Sequence, residues 1–284
     1  MEYDDIIINK VKNTLVKAAS TFREDHKKIY IEAISREQNP QAKWVLEQIL
    51  ENSNIASQNK GPLCNDTGIP HVFLEIGKQN CHIGSLFHLI QQGIIEGLRE
   101  LPGRPMAVMG NDIQRIEQSL GLNEDSGALL PAPIIIKPID GNLTRLHILM
   151  LGGGPEIRSK TYRIFHKHDM STVINEIVCW GKEEVANLGC TPCVPSIGIG
   201  RTHFEATALM IEAMTYGRFN IQSKFEKEIT KRINETNVGP LGLTGTTTAL
   251  ATFLKIGPQR ASGVRIVCLR LSCCQEPRVA DILL

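Results

Sequence analysis

Ile134-Ile135-Ile136-Lys137-Pro138-Ile139-Asp140-Gly141-Asn142-Leu143-Thr144-Arg145-Leu146-His147-Ile148-Leu149-Met150-Leu151 is the stretch that decides the fold class. Two short apolar runs, 134–136 and 146–151, flank the turn residues Asp140, Gly141 and Asn142, a pattern that predicts a β-hairpin. Val72, Leu74 and Ile76 alternate and predict a strand upstream, and residues 264–271 predict one downstream. Helical patterns fall irregularly between these strands. Hairpin-like pairs with irregular alternation predict an α+β fold, with helices packed around small mixed sheets, rather than regular βαβ units. The sequence does not set the strand order.

Outward from that stretch, Ile8, Val11, Leu15, Ala18 and Phe22 recur at helical spacing and predict an amphipathic opening helix. Asn39-Pro40 reads as the cap and first position of a helix carrying Trp44, Val45, Ile49 and Leu50. A polar stretch, 51–60, follows. Residues 85–99 and about 170–188 read as helices. Thr202-His203-Phe204-Glu205 is a capping-box pattern opening another, and 223–234 reads as a charged helix. The segment 103–133 gives no clear periodicity. Without repeats or low-complexity linkers, the chain reads as one domain over residues 1–284.

The 284 residues suffice for a substantial core, and the formal net charge of +1 points to neither a nucleic-acid nor a membrane surface. No apolar run approaches the roughly 20 residues of a membrane span. The acidic start, Met1-Glu2-Tyr3-Asp4-Asp5, is unlike a signal peptide, so the expected location is the cytoplasm. There the eight cysteines are expected to be reduced, which favours metal binding or catalysis over disulfides. Cys81, Cys179 and Cys268 lie in apolar or helical contexts and read as buried small hydrophobes.

The other five cysteines lie in three segments rich in glycine, proline or serine: Gly61-Pro62-Leu63-Cys64-Asn65-Asp66-Thr67-Gly68, Leu188-Gly189-Cys190-Thr191-Pro192-Cys193, and Leu271-Ser272-Cys273-Cys274. Three thiolates from three loops suit a [4Fe-4S] cluster with one open iron, because electron-transfer clusters take four. Each segment also has a plainer reading. Cys190 and Cys193 form a C-x-x-C, which serves redox pairs and half zinc sites alike. Asp66 either closes an Asx turn or stands beside a metal. Gly152-Gly153-Gly154 either presents backbone N–H groups to a carboxylate or is a flexible loop. The glycine-threonine segment 239–248 lacks the ending of a phosphate loop, which argues against a nucleotide. His166 and His168 read as a solvated helix start.

In combination, these segments resemble the alpha subunit of the iron-sulfur hydro-lyases, class I fumarase and L-tartrate dehydratase, from about Gly61 to Arg278. The family's P-L-C-Q-D-T-G corresponds to Pro62 through Gly68, with Asn65 in place of the glutamine. Its K-G-G-G-S-E-N corresponds to Leu151 through Ile157, and its second cysteine motif runs from Cys190 to Thr202. Its N-x-x-G-x-G-P…T-T-A-L motif corresponds to Asn234 through Leu250, and its last motif to Cys273 through Arg278. Pro258-Gln259-Arg260 stands where the family has P-T-H.

The resemblance implies a [4Fe-4S] cluster on Cys64, Cys190 and Cys273, with Cys193 a bystander and Cys274 the alternative third ligand. It implies that Asp66 hydrogen-bonds the reacting oxygen and acts as the catalytic residue. Substrate binding would fall to Asn65, Arg104 and the backbone of Gly152, Gly153 and Gly154. The implied reaction is reversible hydration of a small dicarboxylate of the fumarate/malate type. Tartrate or a methyl-substituted fumarate is the rival substrate, and a cluster-bearing sensor or scaffold the non-enzymatic rival. The proton-abstracting base would come from a beta subunit on a separate chain, in a dimer of alpha–beta pairs.

Overall fold

The computed structural model describes residues 2–79 and 83–284. Cys81 therefore lies outside the described residues. In chain order the elements are α1 (Glu2–Ser20), α2 (Glu24–Arg36), α3 (Pro40–Asn59), β1 (Ile69–Gly77), α4 (Ile83–Glu100), α5 (Asp112–Glu117), β2 (Ile135–Ile139), β3 (Thr144–Leu151), α6 (Gly153–Ile157), β4 (Lys160–Phe165), α7 (Met170–Val185), β5 (Val194–Gly200), α8 (His203–Tyr216), α9 (Lys224–Asn234), β6 (Phe253–Ile256), β7 (Val264–Ser272) and β8 (Val279–Leu283). The fold is α+β, as the sequence predicts. Among the described residues, no helix is long and apolar enough to cross a membrane.

The chain packs into two compact units. The first comprises Met1–Thr21, Ser53–Gly152 and Arg278–Leu284, and the second Phe22–Asn52 and Gly153–Pro277. In the first unit the strands run in the order β2-β1-β3-β8. The predicted β-hairpin is not formed. β1 lies between its two arms, parallel to β2 (Phe73 opposite Ile135) and antiparallel to β3 (Val72 opposite Ile148). The turn passes the end of β1, where Gly77 N–H donates to Leu143 O at 2.8 Å and Lys78 N–H to Ile139 O at 3.0 Å. The physical reason lies in β2, which carries Pro138, lacks that ladder donor and is suited to an edge. β1 is largely buried and suited to the centre.

Val72, Leu74 and Ile76 of β1 meet Val11 and Leu15 of α1 and Ile90, Ile94 and Leu98 of α4 in one core. Each such side chain contributes about 1.5–3 kcal/mol when fully buried. The opening helix thus forms as its periodicity predicts. The cap is also as predicted, with Asn39 Oδ1 accepting from Gln41 N–H at 3.0 Å. The polar stretch 51–60 belongs mostly to α3, not to a connecting segment. It holds no glycine or proline before Gly61, and its small residues Ser53 and Ala56 are buried.

In the second unit the order is β4-β7-β5-β6. Val267, Leu269 and Leu271 of β7 pack with Ile174, Ile177 and Val178 of α7. The alternate residues, Arg270 and Ser272, therefore share the opposite face of the strand. Cys179, expected to be buried, is exposed because it falls off the α7 face formed by Val173, Ile174, Ile177 and Val178. Cys268 is buried as expected. Thr202 caps α8 by accepting from Glu205 N–H at 3.1 Å, while the Glu205 carboxylate turns to Arg201. The capping pattern is thus only half realised there, whereas Ser223 and Glu226 form a complete one on α9.

Candidate active site

In the first unit, Cys64 stands half-buried in the loop before β1. Leu63, beside it, is buried and donates its N–H to Ala19 O at 2.9 Å. The Cys64 thiol donates to the exposed Asn65 Oδ1 at 3.4 Å. Asp66 Oδ1 accepts Gly68 N–H at 3.1 Å, so the Asx turn is real. Its other oxygen faces Gly152, where an added Cβ would lie 3.0 Å from Asp66 Oδ2. The turn and a role beside a reacting group are therefore compatible. Thr67 Oγ1–H donates to Arg104 O at 3.2 Å, which ties Arg104, with its exposed side chain, to the same loop.

Arg278 is the residue that the site reading omits. It is buried, and one of its terminal nitrogens, Nη1, donates to Asp66 O at 2.8 Å and Thr67 O at 3.1 Å. Its guanidinium packs so close to Gly68 that an added Cβ would meet Nη2 at 2.6 Å. Gly68 also has φ +83°, which glycine alone adopts without strain. The only sequence signal for Arg278 is its place at the end of the last motif.

In the second unit the other two cysteine segments meet. Cys274 N–H donates to Cys190 O at 2.9 Å. Cys190 is exposed and Cys273 half-buried, while Cys274 and Cys193 are buried. Tyr30 Oη–H donates to Cys274 O at 2.6 Å, and burial above all holds this phenol protonated. Glu276 N–H closes the turn onto Cys273 O at 2.9 Å. The Glu276 carboxylate accepts Arg270 Nη2–H at 3.1 Å, and both side chains are fully buried. Arg270 also pairs with Glu156, which follows the triple glycine. Burial opposes the Arg270 charge, but Glu276 and Glu156 outweigh it and secure the cation.

The glycine-threonine segment supports the Cys190 loop. Thr191 Oγ1–H donates to Gly239 O at 2.6 Å, and Cys193 N–H to Thr248 O at 2.8 Å. Asn234 Oδ1 accepts Thr248 and Ala249 N–H at 2.8 and 2.7 Å. Glu37 accepts from Gln38, Asn39, Thr246 and Thr247. Burial pushes the Glu37 carboxyl up, but those hydrogen bonds outweigh it and bring it below the ordinary range. The segment is thus a scaffold with its polar groups engaged. His166, expected to be solvated, is buried. Its Nδ1 accepts His168 N–H at 2.9 Å, which leaves Nε2–H to donate to Ser262 O at 2.7 Å.

These features bear on a cluster. Thiolates, not thiols, bind iron. Burial pushes the Cys193 thiol up to about 12 and raises Cys268 as well, so both are held protonated. Cys64, Cys190 and Cys273 are the accessible thiols in their loops and fit the donor role. Within either unit, among the described residues, no three His, Cys, Asp or Glu side chains surround a position for a single ion. Each thiolate of a cluster holds a different iron. Gly152 is buried, and Gly153 and Gly154 are exposed at the end of β3.

The family described as Fumarate hydratase (Fumerase) matches residues 8–282. A protein of Methanocaldococcus jannaschii, provisionally named L(+)-tartrate dehydratase subunit alpha, is 30% identical over 269 residues, covering 90% of this chain and 89% of its own. The L(+)-tartrate dehydratase subunit alpha of Escherichia coli K12 is 21% identical over 238 residues, covering 81% and 75%.

Proposed function

Because the chain belongs to the fumarate hydratase (fumerase) family, we propose that it carries a [4Fe-4S] cluster and hydrates or dehydrates a small dicarboxylate of the fumarate/malate type. At the coarser level it is a hydro-lyase alpha subunit. Cys64, Cys190 and Cys273 supply the thiolates. The observation that carries this reading is the bond from Cys274 N–H to Cys190 O, 2.9 Å long, between two segments that present accessible thiols. When bound, the cluster supplies a Lewis acid for the substrate's hydroxyl and adjacent carboxylate.

The chain's own residues do the rest. Arg104 offers its guanidinium fork to a carboxylate. Asp66, with Oδ1 held by Gly68 N–H, keeps its carboxylate oriented to accept a hydrogen bond from the oxygen that leaves or adds. Asn65 and the backbone N–H groups of Gly152, Gly153 and Gly154 orient the substrate. A base must remove the carbon-bound proton. We assign it to a beta subunit, in a dimer of alpha–beta pairs, with residues 1–284 acting as one alpha-type domain in the cytoplasm.

A second reading, L(+)-tartrate as substrate, is favoured by the names that the relatives carry. Co-expression with the beta chain, followed by assays of fumarate, methyl-substituted fumarate and tartrate, separates the two. Turnover of none of them by an iron-loaded pair would refute the hydro-lyase substrate class.

A further inference from the structure

The turn that bears Cys273 contains two buried polar atoms without a hydrogen-bond partner, Ser272 Oγ and Gln275 Oε1. Ser272 is fully buried and Gln275 is 8% exposed. The large majority of buried side-chain polar atoms find partners, and leaving one unmet is costly. The surrounding turn is otherwise well connected. Arg270 grips Glu276, Glu276 N–H closes onto Cys273 O, and Tyr30 holds Cys274 O. Ser272 directly precedes Cys273 and lies on the Arg270 face of β7, away from the core residues Leu269 and Leu271.

A buried hydroxyl beside an accessible thiol, in a turn otherwise fixed, is suited to an acceptor that arrives with a ligand. We propose that Ser272 Oγ–H donates a hydrogen bond to a sulfur of the cluster at Cys273. The inference rests on the cluster reading above and adds a residue that tunes the cluster. A donor to sulfur favours the more negative, reduced state and so raises the reduction potential. It also helps to retain iron. A buried water bridging Ser272 and Gln275 is the competing account, and it would satisfy the hydroxyl equally with and without iron.

The test uses the full-length chain, anaerobically loaded with iron and sulfide, as wild type, Ser272→Ala and Ser272→Thr. Three quantities are read: the melting midpoint of the metal-free chain, retention of iron against a chelator, and the cluster's reduction potential. The metal-free Ser272→Ala chain should melt at or above the wild type, because an unmet group is removed. Once loaded, it should hold iron about 10- to 100-fold less well, at a more negative potential, and Ser272→Thr should restore both. Equal retention and potential in Ser272→Ala and wild type would overturn the proposal. So would an equal loss of stability with and without iron, the result a bridging water predicts. A wild-type chain that takes up no iron and sulfide would instead overturn the cluster reading, and this proposal with it.

Discussion

Arg278 reaches the Cys64 loop from 212 residues away, whereas the Cys273 turn is closed by Arg270 and Glu276, six residues apart. Both devices use a buried guanidinium. In the first it donates to the backbone carbonyls of Asp66 and Thr67. In the second it meets a fully buried carboxylate and is reinforced by hydrogen bonds involving Tyr30 and Cys190. The difference predicts unequal fragility. A buried ion pair is costly to break from one side, while a charge-to-carbonyl contact is cheaper to lose.

The largest effect should come from Glu276→Gln, which removes the buried carboxylate of the Arg270 pair and leaves that cation only the more exposed Glu156. A loss of about 3–5 kcal/mol is expected, read as a fall of about 5–8 °C in melting midpoint. Replacing both members, Arg270→Met with Glu276→Leu, should recover most of it. Wild-type melting in Glu276→Gln would break the comparison. Arg278→Met should cost less, about 2–3 kcal/mol, and should speed amide exchange at Thr67 and Gly68 while leaving exchange at Cys274 unchanged. Exchange that rises equally in both loops would mean the two are not held independently.

The sequence made the core legible because periodicity survives into packing: Val72, Leu74, Ile76, Leu15 and Ile94 all point where their spacing says. It misread the stretch around Asp140 because a turn signal is local, whereas the strand inserted between the arms, Ile69–Gly77, comes from far upstream. The cysteine segments were legible as motifs. Their supports were not, since Tyr30 and Glu37 bond groups more than 200 residues along the chain. The C-x-x-C by itself does not separate the protonated Cys193 from the exposed Cys190 three residues away; the register of the resembling motif and burial do.

That contrast gives a smaller effect. Cys193→Ala should cost about 1–2 kcal/mol in packing and leave the visible absorbance of a loaded chain intact. Bleaching of that absorbance would reassign the ligand. The smallest effect is expected with pH. The Glu37 pKa is depressed in the fold, so its stabilisation is present above the ordinary carboxylate range and fades as pH falls through the depressed value. Denaturation curves of wild type and Glu37→Gln should therefore differ at neutral pH and converge in acid. A gap that widens in acid would contradict the hydrogen-bond account.

The central claim is that Cys64, Cys190 and Cys273 hold an iron-sulfur cluster in a hydro-lyase alpha subunit. Iron and sulfide analysis with electron paramagnetic resonance, on the anaerobically loaded full chain and its Cys64→Ser, Cys190→Ser, Cys273→Ser and Cys193→Ser variants, tests it most directly. The account predicts iron and sulfide in equal amounts in wild type and Cys193→Ser, and loss of the cluster signal in the other three. An unchanged signal in any of those three, or its loss in Cys193→Ser, would contradict it.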